Sequence, residues 1–167
     1  RPSRTSSTVT RRGHGLLQPA PAARVARTIV GVTPWPPASA FELPPDGYRA
    51  VVGESFHQDA LEGTVALTRP GEEGRPMFRA VLVAEPDNPY DPNAVAIHSA
   101  AGKVGHLSRR EALDYAPVIA ALAERGYSAG SCDAFLNGGP AEGKSFGVVL
   151  RLSPPGDCVL EILAAGR

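Results

Sequence analysis

The densest concentration of chemistry-bearing side chains lies between Pro86 and Leu107, in PDNPYDPNAVAIHSAAGKVGHL. Asn88-Pro89 and Asp91-Pro92 are turn initiators, because a short Asn or Asp side chain can bond the backbone two residues on. The same loop holds a carboxamide, a carboxylate and the aromatic ring of Tyr90. On residue chemistry alone two readings stand level: a rigid turn whose Tyr90 caps the core, and a ligand loop. His14, His57, His98 and His106 invite metal or acid–base chemistry, but no two share an element at ligand spacing. Cys132 and Cys158 lack the CxxC partners of a zinc site. Ser55 lies two residues from His57 on an expected strand, with no third group to orient a nucleophile. Asp87 and Asp91 pair two carboxylates without a second ligand set. No GxxxxGKT phosphate loop is present. A binding protein is therefore expected, without catalytic residues, metal or cofactor.

The elements that must position this loop follow from local pattern. Gly (18) and Pro (17) together are unusually frequent for a chain of 167 residues, which points to turn-rich β structure or linkers. Arg49–Phe56 (RAVVGESF) reads as a strand, with Gly53 a bulge or close-approach point. Asp59–Thr68 has helical periodicity, ended by Arg69-Pro70-Gly71. Phe78–Glu85 (FRAVLVAE) is an unbroken apolar run, so a strand buried on both faces. Asn93–His98 and Lys103–Leu107 are short strands around the Ala101-Gly102 turn. Ser108 and Glu111 form a capping box that opens a helix. Pro117 breaks that helix and opens a second short helix, and Gly126 ends it. Ser128–Asn137 and Ser145–Leu152 form a hairpin. Cys158–Leu163 is a last apolar segment, strand or helix. The expected class is mainly β (α+β), a small barrel of about six strands with one or two short helices at its ends.

The balance of 17 basic and 17 acidic residues hides an uneven distribution. Residues 1–47 carry six arginines against two carboxylates, +4, and residues 48–167 carry eleven basic against fifteen acidic groups, −4. A −4 body excludes a non-specific duplex binder, whose affinity comes from neutralising phosphates. No apolar run reaches the roughly 20 residues of a spanning helix, so no membrane is expected and a cytoplasmic place is. Residues 1–47, rich in Pro, Ala, Ser and Arg, read as a disordered basic tail or linker. Residues 48–153 form the folded domain and 154–167 a C-terminal extension. A start at Arg1 reads as a processed form or a piece of a longer protein.

NPYDPNAVAI, a Gly turn, KVGHL and a capped helix together resemble the HIRAN domain. The opening Val51-Val52-Gly53, followed by Phe56 and His57, also resembles it, so the likeness spans about Tyr48 to Leu152. The resemblance implies a small OB-like β-barrel that grips the 3′ end of single-stranded DNA in DNA repair or stalled-fork processing. In eukaryotes such domains front helicase-like translocases, so a helicase or nuclease partner is also implied. Carried over residue by residue, Phe56 stacks a base, with His57 beside it. Asn88 and Tyr90 fall on the loop, and Asp91 bonds the terminal 3′-hydroxyl. His106 and Arg109 lie along the backbone, and Phe146 is a late aromatic. Ser55 stands where DNA-end-binding eukaryotic members place an arginine, with Arg49 the nearest substitute.

Overall fold

In the computed structural model, which describes residues 34–166, eight strands form one curled sheet. The strands are β1 (Ala40–Glu42), β2 (Tyr48–Ala50), β3 (Arg69–Pro70), β4 (Pro76–Ala84), β5 (Val95–Ser99), β6 (Gly102–His106), β7 (Ala129–Gly138) and β8 (Phe146–Arg151). The helices are α1 (Gln58–Val65), α2 (Arg109–Asp114), α3 (Ala116–Glu124) and α4 (Pro155–Ala165). The main path runs β2-β8-β7-β4-β5-β6, antiparallel throughout. Just past β2, Val52 bridges back to His106 on β6, so the two edges of that path meet. This closure removes the open edges that a small sheet would otherwise expose. β1 adds in parallel to β7, and β3 pairs with the start of β4.

The core lies between this sheet and the helices. β4 buries Ala80, Val81 and Leu82 in succession, as an apolar run covered on both faces must. Leu61 from α1, Ile97 from β5, Tyr115 at the α2–α3 junction and Leu150 from β8 complete it, each at most 1% exposed. Burial of each such side chain contributes about 1.5–3 kcal/mol. The capping box forms as its sequence dictates: Ser108 Oγ accepts the Glu111 N–H at 3.3 Å, and the Glu111 carboxylate accepts the Ser108 N–H at 3.4 Å. Pro117 sits in the first turn of α3, where its missing N–H costs no helical bond.

Several sequence expectations are corrected. The strand expected over Arg49–Phe56 stops early. Gly53 adopts φ 80° and turns the chain into a short 3₁₀ turn, Glu54–Phe56. A side chain added there would meet nothing, so the glycine serves the left-handed turn and not a close approach. Ala40–Glu42, expected in the tail, is strand β1, held by three residues of β7 and by Phe41 packing edge-on to Tyr127 at 5.0 Å. The segment expected as an extension is α4, whose Cys158 and Ile162 are fully buried against the rest of the core. The disorder expected of the first 33 residues lies outside the described residues. No helix among the described residues is long and apolar enough to cross a membrane.

Candidate nucleic-acid interface

The loop between β4 and β5 is tied at its base by the Glu85 N–H bond to Ala94 O, 2.9 Å. Its interior is ordered by its own Asx side chains. Asn88 Oδ1 accepts the N–H groups of Tyr90 (3.0 Å) and Asp91 (3.3 Å), and Asp91 Oδ1 accepts that of Asn93 (2.9 Å). These bonds replace the ladder that Pro86, Pro89 and Pro92 cannot make. They also hold Tyr90 out from the body, 86% exposed, so the reading in which it caps the core is excluded.

Asn88, Tyr90 and Asp91 line a cleft of about 270 Å³ with Val52, Ala94, His106, Leu107 and Arg109. Each arrives by a separate element: Val52 at the barrel closure, His106 at the end of β6, and Arg109 at the first turn of α2. Arg109 Nε lies 4.0 Å from Asp91 Oδ2, and its guanidinium reaches the Tyr90 carbonyl at 3.5 Å. The Arg109 side chain is 79% exposed, so its pairing with Asp91 is weak and its charge faces solvent.

The remaining expected site residues distribute differently. Phe56 stands on the 3₁₀ turn and not on a strand, 87% exposed and away from the core. His57 follows it, its ring 6.4 Å from that of His106. Phe146 does not line the cleft. It starts β8 and packs on the core, and a Cβ on Gly139 would come within 2.5 Å of its ring. Its backbone is bonded on both sides by the Gln58 amide. Arg49 does not substitute for the arginine absent at Ser55. Its Nε donates to the Tyr115 hydroxyl at 3.0 Å and its Nη1 to the Tyr48 carbonyl at 2.9 Å.

Sequence reasoning missed Glu85. Its carboxylate accepts from Lys103 Nζ, from His106 Nε2 at 2.9 Å and from Asn88 Nδ2 at 3.0 Å. It therefore joins the loop to β6 behind the cleft. Burial pushes its carboxyl up, but the bonds from Lys103, His106 and Asn88 more than offset this and hold it down at about 2. The alliance of Lys103 with His106 depends on an irregularity. In a regular strand, residues three apart face opposite sides. The β5–β6 register shifts between Ile97 and His98, and this bulge turns both side chains to one carboxylate. The available signal was an acidic residue closing an apolar run, next to a loop. Burial keeps His57 and His98 below the ordinary imidazole value, and Lys103 adds to the effect at both. Among the described residues no cluster of His, Cys, Asp and Glu is arranged to hold a metal. Cys132 and Cys158 are free and buried, and burial raises their thiols to about 12 and about 11, outside the reactive range.

The described residues form a small closed β-sheet whose solvent-facing cleft carries an exposed ring and one carboxylate. Residues 58–132 match the family model of the HIRAN domain, a family whose members are generally DNA-binding modules. Among solved structures, the HIRAN domain of human HLTF is similar to 74% of this chain over 88% of its own length, at 15% identity and a TM-score of 0.37. No curated protein matches the chain.

Proposed function

We propose that the cleft takes the end of a DNA single strand and reads its free 3′-hydroxyl, in the service of DNA repair or stalled-fork processing. The observation that carries the reading is the pairing of the exposed Tyr90 ring with the Asp91 carboxylate in one cleft. Aromatic stacking contributes about 1–3 kcal/mol per base and tolerates any sequence. A carboxylate beside a polyanion requires a donor, and within the DNA backbone only a terminal sugar hydroxyl has one. Asp91 accepts that bond and repels a phosphate in the same place, which is selectivity through an unfavourable element. Phe56 offers a second stacking surface. His57, His106 and Arg109 lie near the backbone of the strand, and Asn88 keeps the loop in shape. Phe146 acts only through the fold. A helicase or nuclease would be the natural partner of such an end sensor.

The test is fluorescence anisotropy with 5′-labelled single strands ending in 3′-hydroxyl or 3′-phosphate. Wild type should prefer the hydroxyl end, and Asp91→Asn should reduce the preference. Equal binding of both ends by wild type would sink the reading. Absence of binding to any strand would turn the cleft over to a protein partner.

A further inference from the structure

Glu85 and His106 share a hydrogen bond whose direction the surroundings fix. Lys103, which has only donors to offer, occupies one oxygen of the Glu85 carboxylate. The other oxygen faces His106 Nε2 at 2.9 Å and Asn88 Nδ2 at 3.0 Å. A carboxylate paired with an ammonium group is ionised and can only accept. The proton of neutral His106 therefore resides on Nε2, pointing at Glu85. Nδ1 is left as a bare acceptor, with no protein partner among the described residues. His106 is one of the residues lining the cleft, together with Asp91.

We propose that Glu85 is a positioning residue that sets the tautomer of the His106 imidazole, so that the cleft presents two acceptors, His106 Nδ1 and the Asp91 carboxylate, to a hydroxyl donor. The inference rests on the end-binding reading above and deepens it. A 3′-hydroxyl has one hydrogen to give, and a phosphate oxygen set between these two acceptors meets a donor on neither of them. The Nδ1 acceptor therefore adds to the hydroxyl preference that Asp91 supplies. The charged and titratable groups around the ring are Glu85 behind it, Lys103 on its own strand, His98 on β5, His57 from the 3₁₀–α1 junction, and Asp91 with Arg109 across the cleft.

The experiment has a DNA-free arm and a DNA arm. Long-range ¹⁵N–¹H correlation spectra of the full chain read the tautomer of each imidazole separately, which distinguishes His106 from His57 and His98. At pH 7.5 wild-type His106 should carry its proton on Nε2, and Glu85→Gln, whose amide can itself donate, should mix the two tautomers. In the DNA arm, anisotropy with 3′-hydroxyl and 3′-phosphate strands is measured at pH 7.5 in both proteins. The wild-type hydroxyl preference should exceed that of Glu85→Gln by roughly fivefold to tenfold, the size of one hydrogen bond. A purely structural Glu85 would weaken both strands alike and leave their ratio intact, which overturns the proposal. So does an Nδ1-protonated ring in wild type at pH 7.5, an outcome that does not need the variant to fold. Failure of wild type to bind either strand at pH 7.5 overturns the end-binding reading and this one with it. That failure is recognisable because the ring spectrum is recorded without DNA.

Discussion

Val52 and His106 exchange both of their backbone hydrogen bonds, each at 2.9 Å. This single pair closes the barrel, since one neighbour, Val51, bonds β8 through Val148 O at 3.0 Å while Val52 bonds β6. It also places the His106 side chain at the seam, beside the proline-rich loop. Closure and cleft are thus one construction, and a change that opens the seam disturbs both.

Gly105 is where that construction is most sensitive. A Cβ there would stand 2.4 Å from Val51 Cγ1 and 2.6 Å from Val52 O, and the second contact is with backbone that cannot step aside. Gly105→Ala should cost about 1–3 kcal/mol, the usual penalty of overpacking. Gly156→Ala, in α4 with nothing within 4 Å, is the control and should be neutral or stabilising by about 0.5–1 kcal/mol. Urea unfolding of the two variants checks the contrast. Equal midpoints would mean that the seam is loose.

Tyr90 and Phe56 should separate binding from folding. Both are more than four-fifths exposed, and neither belongs to the core. Replacing either with Ala should leave stability within about 0.5 kcal/mol. Each replacement should weaken single-strand binding by about 1–3 kcal/mol. The measurement is a melting curve beside an anisotropy titration for each variant. A large drop in melting temperature would assign these rings to the fold instead.

Much of the local structure was legible, and the reasons are local. The Ser108–Glu111 box, the β7–β8 hairpin and the turn-forming Asn88 and Asp91 are all decided within a few residues of themselves. What escaped was decided at a distance. β1 is three residues in a proline-rich stretch, with no alternation to announce it, and it exists because β7 offers it an edge. The 3₁₀ turn replaced a strand because Gly53 takes a conformation that sequence pattern alone does not specify. Glu85 meets Lys103 and His106, 18 and 21 residues on, only through the β5–β6 bulge. The loop of the cleft could be read from its motif, but the network behind it could not.

α4 tests the boundary of the domain. Ile162 is fully buried and Cys158, one helical turn earlier, is too, so the helix closes the core from outside the barrel. Ile162→Ala should destabilise by about 2–5 kcal/mol, the range for a large buried aliphatic side chain. Removing the exposed Leu160 in the same way should cost far less, since 67% of it already meets water. A dispensable Ile162, judged by unfolding midpoint, would return this segment to the status of an appendage.

Acid should destabilise the fold in two stages. Burial, assisted by Lys103, holds His57 and His98 below 6.5 in the folded chain. The unfolded chain thus binds their protons more readily, and stability falls as pH drops below 6.5. Glu85 moves in the same direction at lower pH. Its carboxyl ionises at about 2 in the fold against 4.5 unfolded, so its contribution is complete above 4.5 and is lost as pH falls toward 2. Denaturant midpoints measured from pH 7 to pH 2 should show a shallow decline and then a steeper one. Glu85→Gln has no proton to take up and should flatten the lower limb. If the variant keeps the wild-type slope between pH 4.5 and 2, the bonds from Lys103, His106 and Asn88 do not hold Glu85 ionised, and the network behind the cleft is weaker than its geometry.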